Sequence, residues 1–93
     1  MTWVFAQDGT KVRESIDAHD DYVARTFAGK ELDHGHVVQK GGKACFTSAV
    51  DQNGETCWTA KNIGIGRSMV SVSDKGQKLK VTRVNYVPMK PRK

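Results

Sequence analysis

Ninety-three residues with a net charge of +5 and 38% hydrophobic content fit one small domain, with too few apolar residues for a membrane protein and too many for wholesale disorder. No apolar run approaches the roughly 18 residues of a membrane-spanning helix. The charge is segregated: residues 1–33 carry four basic side chains and seven acids, whereas residues 75–93 carry seven basic side chains and no carboxylate.

Thr2 to Ala6, with Trp3, Val4 and Phe5, reads as a buried strand. It reaches Asp8 without a basic leader, so it does not read as a signal peptide, and the expected location is cytoplasmic. Asp8-Gly9 is a turn signal. Val12, Ile16, Val23 and Phe27 then recur at spacings of 4, 7 and 4, with Tyr22 and Ala24 beside them, which predicts one helix with a single apolar face. Ser15 or Asp17 would cap it, and Asp17, Asp20 and Asp21 suit the positive end of a helix dipole. Gly29 can take the left-handed position that stops it.

Lys30 to His36 reads as a polar loop, Val37-Val38 begins a strand, and Lys40-Gly41-Gly42-Lys43 turns it back. Ala44 to Val50 and Glu55 to Lys61 form a hairpin over Asp51-Gln52-Asn53-Gly54. A three-residue loop pairs Asp51 with Glu55, so Cys57 faces Ala49 and Cys45 faces Lys61. That register keeps the sulfurs out of bonding reach, and two reduced thiols suit the cytoplasm. Ser68 to Ser73 is the next strand, Asp74-Lys75-Gly76-Gln77 a turn, and Lys78 to Val87 the last strand. Leu79 and Val81 share one parity while Val84 and Tyr86 share the other, which predicts a bulge near Thr82-Arg83.

The expected fold is α+β, one helix packed on a curled antiparallel sheet in the order β-α-β-β-β-β, with an open barrel plugged by the helix as the close competitor. This order is similar to that of cystatin-like domains, with none of that family's motifs present. Residues 1–87 form the domain and residues 88–93 a short basic tail.

The segregated basic end is the footprint of a polyanion partner. Lys78, Lys80 and Thr82 project to one side of a regular strand, Arg83 joins after the bulge, and Arg67 lies near if the last two strands pair. Lys90, Arg92 and Lys93 add contacts from the tail, and Tyr86 offers a stacking surface. The alternative is a solvated sheet face whose lysines block aggregation. Asn62 to Ser68 has two glycines that could cradle an anion, without the spacing of a phosphate loop. His34, His36, Cys45 and Cys57 are suitable types for zinc but lack ligand spacing, so no metal or other cofactor is expected. No nucleophile has an activating neighbour, which excludes an enzyme. The sequence therefore predicts a basic nucleic-acid-binding accessory protein. The alternative is a compact protein-binding inhibitor or adaptor of viral or mobile-element type, docking to an acidic protein surface. A homodimer through a sheet edge, the first strand or the strand at 78–87, is a further partner expectation.

Overall fold

The computed structural model describes residues 1–51 and 54–90, and every regular element among them is a strand. In chain order these are β1 (Thr2–Gln7), β2 (Thr10–Ile16), β3 (Asp21–Thr26), β4 (Glu31–Lys40), β5 (Lys43–Ser48), β6 (Glu55–Thr59), β7 (Ser68–Val72) and β8 (Lys78–Val84). They form one antiparallel sheet in the order β6-β5-β4-β3-β2-β1-β8-β7. Apart from β6 and β7, chain neighbours are sheet neighbours, and β1 also pairs with β8, so the sheet curls into a barrel.

The ring closes at a seam between β6 and β7. A bridge joins Trp58 to Ser73, and the Asp74 N–H donates to the Cys57 carbonyl at 2.9 Å. The Val72 N–H donates to Thr59 Oγ1 at 3.0 Å, and Ser71 Oγ donates to the Thr59 carbonyl at 2.7 Å. Side chains thus stand in for part of the missing ladder.

The expected α+β fold is overturned: residues 12–27 are β2, a turn and β3, not a helix. Asp17 Oδ1 accepts the N–H groups of His19 (2.8 Å) and Asp21 (3.1 Å), and Asp20 sits at φ 62°, which reverses the chain where a helix would continue. Val12 and Ile16 face the barrel interior, whereas Val23 and Phe27 lie toward its outside. The apparent helical spacing joined two opposite faces. Valine, isoleucine, tyrosine and threonine are also strand formers.

Three further expectations change. Residues 31–36, read as a loop, belong to β4. β8 runs against β1 without a bulge at Thr82-Arg83, since Thr2, Trp3 and Val4 face Val84, Arg83 and Thr82 in unbroken register. β1 and β8, the edges expected for self-association, pair with each other over Thr2–Val4 and Thr82–Val84 and with β2 and β7 on their other sides.

The cysteines are bonded to each other. Ser48 Oγ accepts the N–H groups of Val50 and Asp51, which ends β5 at Ser48 and lengthens the loop. Thr47 then pairs with Glu55, and Cys45 lies directly opposite Cys57 in a disulfide. The tight turn assumed from the sequence shifted that register.

Residues 85–90 form a strap across the outside of β1, β2 and β3. The Val87 N–H donates to Thr2 Oγ1 at 2.8 Å, Ser15 Oγ donates to the Val87 carbonyl, and the two hydroxyls bond each other at 2.7 Å. Met89 and Lys90 share a groove with Val23, and the Arg25 guanidinium donates to the Lys90 carbonyl. Thr2, Ser15 and Val23 face outward by strand alternation yet are 0%, 4% and 3% exposed, because the strap lies over them.

Inside, Ile16, Tyr22, Val37 and Ala44 pack together with Phe46, whose ring meets Tyr22 edge-on at 5.0 Å. This cluster fills the β2–β5 side of the barrel and leaves the rest open.

Candidate functional site

The lumen holds a cavity of about 950 Å³. Trp3 and Phe5 from β1, Trp58 from β6, and Leu79 and Val81 from β8 give it apolar walls. These side chains face inward because each occupies the interior parity of its strand.

One row of the sheet carries the polar chemistry. Across β8, β1, β2, β3 and β4 it reads Arg83, Trp3, Glu14, Ala24, Asp33. Ala24, buried and small, separates the two acids and leaves the space between them free of side-chain bulk. Asp33 is in this row by the regular alternation of β4 with Gly35 and Val37, and a bulge follows it toward the start of the strand. Ala24 faces Asp33 and Arg25 faces Glu31, so Leu32 is the extra residue. The bulge turns Glu31 to the outside, where it lies 3.9 Å from Arg25, while Asp33 stays in the lumen.

Asp33 is well supplied with donors. Tyr22 Oη donates at 2.8 Å, Ser48 Oγ donates to the other carboxylate oxygen, and the His34 N–H donates at 2.9 Å. Gly35 makes room for this: it lies between Tyr22 and Ser48 in register, and a Cβ there would run into the Thr47 carbonyl oxygen. Burial, then the hydrogen bond to Asp33, pushes the Tyr22 hydroxyl well above its ordinary pKa and keeps it a donor.

Glu14 is the opposite case. Among the described residues no hydrogen-bond donor and no cation meets its carboxylate, and the half-buried side chain is open to the lumen. Burial, and secondarily the charge of Asp33, pushes its pKa from 4.5 up to about 7. The lumen's nearby cations are engaged elsewhere. The Arg83 guanidinium donates to Asn62 Oδ1 (3.2 Å) and to the Ile63 carbonyl (2.7 Å). The Met1 ammonium donates to the Ile16 carbonyl at 2.8 Å, and burial, then Arg83, lowers its pKa.

The basic residues singled out from the sequence are dispersed. Lys78 and Lys80 are exposed on the outer face of β8, with Thr82 in the same row. Arg67 is exposed, and its carbonyl accepts the Arg83 N–H at 2.9 Å. Arg83 itself occupies the interior parity and does not join Lys78 and Lys80. Tyr86 is exposed on the strap, and Lys90 is held beside β3, with β1 and β2 between it and β8. Arg92 and Lys93 lie outside the described residues.

His34 and His36 occupy the outer face of β4, with Nδ1 atoms 3.3 Å from Glu31 and 3.2 Å from Asp21. Cys45, Glu55 and Cys57 are the one trio among the described residues close enough to share a metal, and their two sulfurs are already bonded together. Among the described residues no helix is long and apolar enough to cross a membrane.

Sequence reading missed Glu14 and Asp33. The signal available was Val12-x-Glu14-x-Ile16, an acid at an interior position of an alternating run. No protein-family model, curated protein or solved structure matches the chain.

Proposed function

We propose that this is a non-catalytic binding protein that receives a small apolar molecule inside its barrel. The observation that carries the reading is the cavity of about 950 Å³, with aromatic and aliphatic walls and two acids converging on its interior. Small-molecule sites are mostly apolar cavities of about 300–1,000 Å³ with a few placed polar groups. An eight-stranded barrel is about wide enough for one small ligand.

Trp3 and Trp58 both line the cavity, so their emission reports on its contents. Titration with the neutral fluorophore N-phenyl-1-naphthylamine is expected to give saturable one-to-one binding with quenching of tryptophan emission. Ala24→Trp, which places an indole between Glu14 and Asp33, is expected to weaken binding by about tenfold or more while leaving the β-sheet circular dichroism in place. Absence of saturable binding, or equal binding by the plugged barrel, refutes the reading.

A second reading rests on Lys78, Lys80 and Arg67, which are exposed and without an ion pair among the described residues. In it, the outer face of β8 contacts nucleic-acid phosphates. Anisotropy of a labelled oligonucleotide across a salt series tests it. A slope of about two to three phosphates, lost when these side chains are neutralised, supports it, and no binding at low salt ends it.

The disulfide also bears on location. Cys45–Cys57 favours an oxidising compartment over the cytoplasm expected from free thiols.

A further inference from the structure

We infer that the lumen selects an organic amine, its ammonium group seated between the Glu14 carboxylate and the Trp3 indole. The inference rests on the lumen being the binding site and adds what the ligand must carry.

Glu14 and Asp33 both face the lumen, but only Asp33 has its hydrogen bonds filled from within the protein. A carboxylate facing a largely apolar lumen without protein donors is poorly stabilised, and a ligand cation supplies the missing partner. Trp3 stands directly opposite Glu14 in the β1–β2 register, and indole is the strongest of the aromatic faces for a cation. The carboxyl held at about 7 is what an acid lacking its partner shows.

The remaining lumen groups do not compete for the position. Arg83 and the Met1 ammonium donate to backbone and side-chain oxygens of residues 16, 62 and 63. Lys75 Nζ donates to Thr56 Oγ1 at 2.7 Å. Lys61 also lines the cavity, but from just beyond β6, four strands away from β2. A ligand anion beside Glu14 and Asp33 would therefore meet two carboxylates with no free cation in their row of the sheet. A neutral apolar ligand would leave Glu14 as it is. An alkyl or aryl amine places its hydrocarbon against Phe5, Trp58 and Leu79 and its charge at Glu14.

Isothermal titration calorimetry at pH 8 with octylamine, 1-octanol and octanoate tests the inference on the intact protein. Octylamine is expected to bind about tenfold tighter than octanol, with octanoate the weakest. Glu14→Gln, which keeps the shape and removes the charge, is expected to bring octylamine down to the level of octanol in the same variant. Octanol binding as tightly as octylamine, or an amine preference that survives in Glu14→Gln, overturns the amine inference while the lumen reading stands. Failure of both octanol and octylamine to bind removes the lumen reading and this inference with it.

Discussion

Glu14→Gln is expected to flatten the pH dependence of stability between pH 4.5 and 7. The folded value of Glu14 is raised from 4.5 to about 7, so in this window the folded protein holds a proton that the unfolded chain has released. Stability from this group is therefore fully present below pH 4.5 and declines as pH rises, reaching its floor above pH 7. A shift of this size corresponds to about 3 kcal/mol. Asp17 acts in the opposite sense and at lower pH. The Asp21 N–H, followed by that of His19, lowers its carboxyl below 3.8, so what it contributes is lost only as pH falls below that value. Urea unfolding followed by tryptophan emission at pH 4.5 and pH 8 separates the two. The native protein is expected to be less stable at pH 8 and Glu14→Gln nearly indifferent. Matching pH profiles for the two proteins would mean that Glu14 is not held in the barrel interior.

Replacing both cysteines by serine is expected to cost about 3 kcal/mol, the usual effect of opening a short disulfide loop. The bond joins residues 12 apart in sequence and staples β5 to β6. β6 is the strand beside the seam, and on its other side it has one bridge and a few bonds to β7. Loss of the staple thus weakens the barrel where it is least paired. Amide exchange is expected to show residues 55–59 losing protection before β1, β2 and β3 do. A midpoint of urea denaturation unchanged in Cys45→Ser/Cys57→Ser would contradict this.

Much of the outline was legible in local chemistry. The Asp8-Gly9 turn joins Gln7 to Thr10 with both residues at positive φ, 51° and 79°, as the dipeptide announces. Gly41-Gly42 does the same between Lys40 and Lys43, at 49° and 79°. The strand at 68–72 and the turn at 74–77 also stand where alternation and turn residues put them. The helix expectation failed for reasons tied to the site. Glu14 occupies an interior position that a purely structural strand would fill with an apolar residue, and this masked the alternation of β2. Val23 is apolar on an outward position because the strap covers it, a contact across more than sixty residues that no local window contains. Asp33 shares the parity of Gly35 and Val37, but with residues 31–36 read as a loop it has no face, and the Leu32 bulge breaks the alternation just before it. The disulfide depended on one hydroxyl, that of Ser48, ending β5 early.

The pairing of β1 with β8 sets the order of assembly. Synthesis delivers Thr2 first and its partner Val84 more than eighty residues later, so hairpins β1–β2 through β5–β6 can form in sequence while the ring stays open. The β1–β8 pairing must wait for β8 and has the largest chain separation of the strand pairings, a non-local contact of the kind that slows folding. Until then β1 presents a bare edge and the lumen walls face water, a species prone to association. Val87 follows β8 directly, and its bonds to Thr2 and Ser15 form only after β8 has docked. The strap is thus a latch on the final step, and refolding of chains ending at Val84 should stall with the ring open.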